Sequence, residues 1–159
     1  MTINFEYNKK EVLQALRYHF ISRPEIRIMF VLINVFALAT AVLFYFKKIT
    51  PGACFLGSFL WFTLILSFWF FLPGMVYRRA STFKDHITMN FNDDSFTIGN
   101  ERGSRTYSWG QVVKFMETPL FFYLYFDSKS FFLVPKSGCR DSDQVYELRQ
   151  ILKLKIRGR

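Results

Sequence analysis

The sequence predicts an α+β membrane protein in which a two-helix transmembrane hairpin precedes a small antiparallel β domain that ends in an amphipathic helix. Two features support this fold class. The first half of the 159-residue chain contains two long runs without a charged residue, whereas the second half contains short alternating segments separated by turn residues. The predicted domains are an N-terminal strand and helix (1–27), the hairpin (28–72) and the β domain (77–159).

The apolar runs span residues 28–46 and 53–72, which contain 19 and 20 residues. A helix rises about 1.5 Å per residue, so each run spans about 30 Å, the thickness of a bilayer's hydrocarbon core. A very apolar soluble core is the alternative, but the rest of the chain is too short to cover two helices that are apolar on every face. We therefore expect both runs to cross a membrane, with the first retained as an anchor.

The residues before the first run predict a short strand and an amphipathic helix. Residues 2–7 alternate between apolar and polar side chains, and the sequence leaves open whether this strand joins the later sheet. Asn8 followed by Glu11 resembles a capping box, which predicts the start of a helix. The apolar face of this helix could lie in the membrane interface or pack on the β domain, and Pro24 would open the next helix.

The charge distribution predicts the membrane orientation. The chain has a formal net charge of +9, and neither apolar run contains a charge. Residues 1–27 hold five Lys and Arg residues against two in the link 47–52, so the positive-inside rule favours cytoplasmic termini. Four arginines flank the runs: Arg23, Arg27, Arg78 and Arg79. A basic surface beside a bilayer favours anionic headgroups as partners over nucleic acid.

The composition of the runs predicts an anchor and a packing surface. Neither run contains the acidic residues, basic residues or histidines that ion and proton pathways usually need. Small residues allow helices to approach closely, and we expect packing at Gly57, Ser58 and Trp61, with Trp61 against the first helix. Pro73 and Gly74 predict the end of the second span.

Short segments after the hairpin predict six strands. The clearest pair is 121–126 and 131–134, which are apolar at every position, as expected of strands covered on both faces. The other predicted strands are 87–91, 95–98, 105–108 and 112–117. Together the strands predict a small antiparallel sheet or a partly open barrel.

A last amphipathic helix would plug this sheet or barrel. Asp141 or Ser142 can cap its start, and an apolar stripe follows at helical spacing: Val145, Leu148, Ile151, Leu152 and Ile156. Arg149, Lys153 and Arg157 recur every four residues on another face. This basic stripe is either a solvated face or a site that binds a lipid headgroup or another partner.

A series of aromatic and apolar motifs covers residues 107–136. Its members are Tyr107 and Trp109 with one residue between them, Val112-Val113-Lys114, Glu117-Thr118, the segment 121–126 and Phe132-Leu133-Val134-Pro135-Lys136. With the two spans and the N-terminal strand, these motifs resemble the YcxB-like family of bacterial membrane proteins. The segment Gly110-Gln111-Val112 departs mildly from the Ser-x-Ile or similar step that often follows the tryptophan in the family. The resemblance implies a pleckstrin-homology-like fold for the C-terminal domain, and it supplies no catalytic residues. With the two spans, it leads us to expect a multi-pass protein of the bacterial cytoplasmic (inner) membrane with that domain in the cytoplasm.

No catalytic or metal-binding constellation is visible in the sequence. His19 and His86 are the only histidines, and neither lies in a known catalytic motif. Cys54 and Cys139 lack the spacing of a metal or redox site. We therefore expect a protein that is not an enzyme and that needs no metal or cofactor.

Three functions remain, and each of them acts at the membrane. The favoured function is a binding module whose β domain binds a partner protein or lipid headgroups. The first alternative is immunity, because factors that protect a cell against a membrane-active bacteriocin or toxin commonly take the form of small two-span proteins without catalytic groups. The second alternative is a structural subunit of a membrane complex, which could form homo-oligomers through the small residues around Gly57.

Overall fold

The structure is a computed structural model that describes residues 1–128 and 130–156. The chain divides into two compact units. The first, which we call the β unit, consists of Met1–Glu11 and the chain from Ser81 onward. The second, the helical unit, consists of Val12–Ala80 and is therefore inserted into the sequence of the β unit. The predicted α+β class with two long apolar helices is confirmed.

The helical unit is built from two long helices and one shorter helix. In chain order its elements are α1 (Lys9–Ser22, which begins in the β unit), α2 (Pro24–Tyr45), α3 (Pro51–Leu66), a π-helical turn (Ser67–Phe71) and α4 (Leu72–Arg79). The last three elements form one continuous helix. This helix has 29 residues and α2 has 22, and both are long and apolar enough to cross a membrane.

Local sequence explains where the long helices begin. Pro24 and Pro51 lie in first turns, where a proline costs no hydrogen bond because the first N–H groups of a helix have no partner within it. The hydroxyl of Thr50 accepts a hydrogen bond from the N–H of Ala53 at 3.3 Å and so caps α3. The prediction that Pro24 opens a helix is confirmed.

The prediction that Pro73 and Gly74 end the second span is wrong. The helix continues to Arg79 through the π turn, in which the N–H of Leu72 bonds to the carbonyl of Ser67, five residues earlier. This wider turn ends two residues before Pro73. Pro73 has no N–H, and in a regular α-helix its ring would crowd the carbonyl four residues earlier. The helix therefore passes a residue pair that usually ends one.

Within the described residues, the β unit contains two antiparallel sheets and a C-terminal helix. The first sheet has the order β1 (Thr2–Phe5), β2 (Ile87–Phe91), β3 (Ser95–Asn100) and β4 (Gly103–Ser108). The second sheet has the order β5 (Lys114–Glu117), β6 (Phe121–Tyr125) and β7 (Phe131–Pro135). The helix is α5 (Ser142–Lys155). The predicted pairing of the two apolar strands is confirmed, since β6 and β7 are antiparallel neighbours.

The N-terminal strand joins the sheet formed by the later chain. Ile3 pairs with Met89, and Phe5 pairs with Ile87. Ile3 and Phe5 are buried whereas Asn4 is exposed, so the predicted alternation is confirmed. The strands β1 and β2 are therefore hydrogen-bonded neighbours, although the whole helical unit lies between them in sequence.

Both sheets and α5 share one apolar core. Phe96 of the first sheet, Phe122 of the second and Leu148 of α5 are each 0% exposed. The rings of Phe96 and Trp109 lie 4.9 Å apart, and Nε1 of Trp109 donates a hydrogen bond to the carbonyl of Asn92 at 3.0 Å. Every residue of β6 is buried, as predicted for a strand covered on both faces.

The last helix follows its predicted pattern. Asp141 caps α5, because its side chain accepts a hydrogen bond from the N–H of Gln144 at 2.8 Å. Leu148, Leu152 and Ile156 of the predicted apolar stripe are buried. The stripe therefore holds α5 against the core.

The helical unit has the opposite burial pattern. Every residue of α2 and α3 is described, and none is buried. Large apolar side chains are exposed along both helices, and Phe36 and Phe55 each leave 75% of their surface uncovered. Apolar surface of this extent is typical of segments that contact lipid or another protein.

Candidate functional site

Glu117 is the centre of an ion cluster on the β unit. Glu117 ends β5, Lys136 directly follows β7, and Arg149 lies in the middle of α5. Arg149 donates from Nε to Oε2 of Glu117 at 2.8 Å and from a terminal nitrogen to Oε1 at 2.7 Å. Nζ of Lys136 donates to Oε1 at 2.6 Å. These three residues, the Glu117 cluster, connect α5 to both outer strands of the second sheet.

Electrostatic contacts keep the carboxylate of Glu117 charged. The hydrogen bonds from Arg149 lower the pKa of Glu117 to about 2, with a further contribution from Lys136 and against the opposing effect of partial burial. The same contact raises the pKa of the Arg149 guanidinium. The cluster joins two cations to one anion, so it retains one positive charge.

The basic stripe predicted on α5 is not a row of three equivalent cations. Arg149 is committed to Glu117, and its side chain is 28% exposed. Lys153 lies one turn further along α5 and is exposed. Arg157 lies outside the described residues. A lipid headgroup could bind Arg149 only in competition with Glu117. The spacing of the basic stripe does not reveal the contact between Arg149 and Glu117.

A hollow of about 610 Å³ lies on the helical unit beside the π turn. Its wall is apolar and includes Leu66, Phe70, Phe71 and Met75. Arg78 and Arg79 line it in the last turn of α4, and both are exposed. Gly74 also lines it, and a side chain at Gly74 would meet no atom within 4 Å. This hollow, the π-turn groove, brings two of the predicted membrane-flanking arginines next to an apolar wall.

Arg17 contacts the second long helix, which its position in the sequence does not predict. Its Nε donates to the carbonyl of Trp69 at 2.9 Å, and its Cζ lies 5.5 Å from the ring centroids of Trp69 and Phe70. In a regular helix this carbonyl would accept from residue 73, but Pro73 has no N–H. Arg17 therefore supplies the missing donor. A proline inside a long helical run is the signal that could have indicated such a contact, because it frees the carbonyl four residues earlier.

The other two flanking arginines lie at the start of the first long helix. Arg23 is partly buried and precedes Pro24, whereas Arg27 is exposed. The N–H of Arg27 bonds to the carbonyl of Arg23 at 3.0 Å. Glu25 in the same turn supplies the negative charge that favours a helix N-terminus.

The predicted packing residues lie on α3, where Gly57 and Trp61 are partly buried near α2 and Ser58 is exposed. A side chain at Gly57 would come within 3.3 Å of Cγ2 of Thr40, so this glycine permits close contact between the helices. Ser58 donates its hydroxyl hydrogen to the carbonyl of Cys54 at 3.0 Å, within its own helix. Trp61 is partly buried and lines a hollow of about 330 Å³ together with Ala37 of α2.

The titratable residues in the described ranges show no arrangement for metal chemistry. No group of three or more His, Cys, Asp or Glu residues in those ranges could hold a metal ion. Cys54 and Cys139 are free thiols. Nδ1 of His86 lies 2.9 Å from Oε1 of Glu6, and His19 is buried.

A comparison with protein families matches part of the β unit. The model of the family described as YcxB-like protein matches residues 91–152. The resemblance to the YcxB-like family is confirmed. The YcxB-like segment extends from the last residue of β2 into α5 and contains all three members of the Glu117 cluster. No curated protein and no solved structure matches the chain.

Proposed function

We propose that this chain is a non-enzymatic protein of the bacterial cytoplasmic membrane, multi-pass, whose β unit binds a partner protein or lipid at the membrane. The exposure of apolar side chains along α2 and α3 carries the proposal. Removing apolar surface from water contributes about 25 cal/mol of stabilisation per Å². The hydrocarbon core of a bilayer provides an apolar environment for these side chains without further protein.

Helix length supports the same proposal. At about 1.5 Å per residue, the 22 residues of α2 span about 33 Å, close to the roughly 30 Å of a hydrocarbon core. The second helix has 29 residues and spans about 43 Å, so its end would reach beyond the hydrocarbon. Arg78 and Arg79 lie in its last turn, where they would meet the lipid headgroups.

The orientation follows from the distribution of basic residues. Four Lys and Arg residues precede α2, and a fifth, Arg27, lies in its first turn. Only two lie in the link between α2 and α3. Under the positive-inside rule, both termini and the β unit are then cytoplasmic.

The architecture of the β unit supports a pleckstrin-homology-like fold. A four-stranded and a three-stranded antiparallel sheet are followed by one helix that packs into their common core. The YcxB-like resemblance leads to the expectation of this type of fold. In this proposal the β unit is a recognition module, and the residues that contact its ligand lie on the surface of the β unit.

The outer edge of β4 is the surface that we assign to partner binding. β4 ends the first sheet, and all its residues except Tyr107 are exposed. In an antiparallel pair, alternate residues turn their backbone N–H and C=O groups towards the partner strand and away from it. The N–H of Ser108 bonds to the side chain of Gln111 rather than to β3, so the backbone groups of Thr106 and Ser104, two and four residues earlier in the same register, also face away from β3. An extended segment of a partner could add there as a further strand, beside the exposed cation of Arg105.

Membrane fractionation tests the anchor. The full chain should remain in the membrane pellet after extraction with alkaline carbonate, which releases proteins that are held at the surface. Recovery of the chain in the supernatant would contradict the proposal.

Photo-crosslinking tests the binding role. A photoreactive residue at Thr106 should form an adduct in cells, whereas the same residue at Glu147, an exposed position on α5, should not. A protein adduct would appear as a shift on a gel and a lipid adduct as a small increase in mass, so the result also identifies the class of partner. Equal adducts at both positions, or none at either, would contradict a binding role for β4.

A further inference from the structure

We infer that the π-turn groove binds one anionic phospholipid, with an acyl chain along its apolar wall and the phosphate beside Arg78 and Arg79. This inference rests on the proposed function, because it requires the groove to lie in the bilayer, and it deepens that function by naming a ligand class. A hollow of about 610 Å³ has room for part of a lipid and is far larger than a small anion needs.

Two irregularities of the helix create the groove. The π turn contains one extra residue per turn, which shifts the side chains after it relative to those of α3. Gly74 follows the π turn and has no side chain, so the helix backbone is uncovered there. A Cβ added at Gly74 would lie in open space. A regular apolar helix would present a continuous ridge of side chains at this place.

Arg17 holds the wall of the groove in position. Its bond to the carbonyl of Trp69 stabilises the backbone of the π turn, and its guanidinium lies 5.5 Å from the ring of Phe70, which lines the groove. Because Arg17 acts through the π turn, it is a positioning residue rather than a ligand contact.

The charge at the end of the groove selects the lipid. Arg78 and Arg79 form no ion pair within the part of the chain that the structure describes. Both are exposed, so both can approach a phosphate. A zwitterionic lipid offers the same acyl chains without net charge, and the groove should therefore prefer an anionic lipid.

The length of the helix places these arginines at the level of the phosphates. A helix of 29 residues is about 13 Å longer than a hydrocarbon core of about 30 Å. The apolar wall from Leu66 to Met75 then lies deeper than the arginines, which matches the order of acyl chain and headgroup in a phospholipid.

Native mass spectrometry of the full chain, purified in detergent, tests the inference with two lipids that carry the same acyl chains. The protein should retain phosphatidylglycerol about thirtyfold more than phosphatidylcholine, from the attraction of two cations. The double substitution Arg78→Gln and Arg79→Gln should abolish this preference. Gly74→Leu should weaken binding of phosphatidylglycerol without any change of charge, because the new side chain fills the groove.

The matched control removes the same charge from the other end of the hairpin. Lys47→Gln with Lys48→Gln should leave the preference for phosphatidylglycerol intact. Equal retention of the two lipids by the unsubstituted protein, equal losses in the two double variants, or no effect of Gly74→Leu would each overturn the inference. Unfolding temperature and gel-filtration elution show whether each variant is folded.

Membrane fractionation separates this result from the proposed function. If the chain stays in the membrane but shows no preference for phosphatidylglycerol, the groove is not a lipid site and the anchor stands. If the chain leaves the membrane on carbonate extraction, the anchor and the lipid site both fail.

Discussion

The two units of this protein use the same residue type in opposite ways. Phe96 and Phe122 of the β unit are 0% exposed, whereas Phe36 and Phe55 of the helical unit are 75% exposed. The β unit therefore encloses its own apolar core, whereas the large apolar side chains of α2 and α3 stay exposed within the part of the chain that the structure describes. The amount of phenylalanine does not distinguish the units, but the period does: short alternating strands close around a core, and apolar runs of helix length do not.

The arginines of the two units differ in the same way. Arg149 of the β unit is bound by Glu117, and that contact joins α5 to the second sheet. Arg78 and Arg79 of the helical unit form no ion pair with a carboxylate among the described residues and line the π-turn groove instead. An arginine with an internal partner has a structural role, whereas an exposed arginine beside an apolar wall is available to a ligand.

Removal of β1 should have the largest effect on the β unit. A chain that joins residues 1–11 to residues 81–159, the two segments of the β unit, through a Gly-Ser linker should fold without the helical unit. The matched chain that starts at residue 6 should not, because it lacks the buried side chains of Ile3 and Phe5 and leaves the edge of β2 unpaired. Near-ultraviolet circular dichroism checks both chains, and equal spectra would mean that β1 is dispensable.

A phenylalanine substitution in each unit compares the two environments directly. Phe96→Ala should destabilise the β unit by about 3–5 kcal/mol, since it opens a cavity in a closed core. Phe36→Ala should cost less than about 1 kcal/mol, because lipid can fill the space that the ring leaves. Both values come from chemical denaturation of the full chain in detergent, in which the unfolding of each unit is monitored with its own spectroscopic signal. Similar costs at the two positions would show that Phe36 has a protein partner.

Glu117→Gln should destabilise the β unit by about 1–2 kcal/mol, because it removes a partly buried charge partner of Arg149 and Lys136. The folded pKa of Glu117, about 2, lies below its usual value of 4.5. The stabilisation is therefore complete above about pH 4.5 and is lost as the pH falls towards 2. Denaturation between pH 7 and pH 2 should show this loss.

The control for this prediction is Glu147→Gln on the exposed side of α5. Its stability and pH dependence should match those of the unsubstituted protein. A Glu117→Gln variant that keeps the original pH dependence would show that another carboxyl group is responsible.

The smallest predicted effect concerns contact between the long helices. Gly74→Ala should gain up to about 1 kcal/mol from helix propensity, because the new methyl group meets no atom. Gly57→Ala should gain less, since its methyl group would lie 3.3 Å from Cγ2 of Thr40. Unfolding temperatures in detergent compare the two variants, and an equal gain would exclude close packing at Gly57.

Much of the fold follows from local sequence. The two apolar runs, the strands β6 and β7, and the cap of α5 at Asp141 all depend on residues close together in the chain. The sequence does not predict the pairing of β1 with β2, because the helical unit separates the two strands. It does not predict the passage of the helix through Pro73 either, because the donor that replaces the missing N–H, Arg17, lies 52 residues from the carbonyl that it serves.

The candidate sites were less predictable than the fold. The sequence places Arg149, Lys153 and Arg157 on one face, but not the carboxylate of Glu117 that binds Arg149. It marks Arg78 and Arg79 as flanking charges, but the groove beside them depends on a π turn that no residue pattern specified. Contacts between distant segments, which the residue pattern does not show, therefore determine which of these cations has an internal partner.

Cysteine labelling tests the membrane arrangement most directly. In a background with Cys54→Ser and Cys139→Ser, a thiol is introduced either by Lys48→Cys in the link or by Ser104→Cys at the exposed start of β4. A maleimide that cannot cross membranes is then added to intact spheroplasts. We predict that the thiol at position 48 reacts at once and that the thiol at position 104 reacts only after lysis. Labelling of position 104 in intact spheroplasts, or protection of position 48, would contradict a hairpin with cytoplasmic termini.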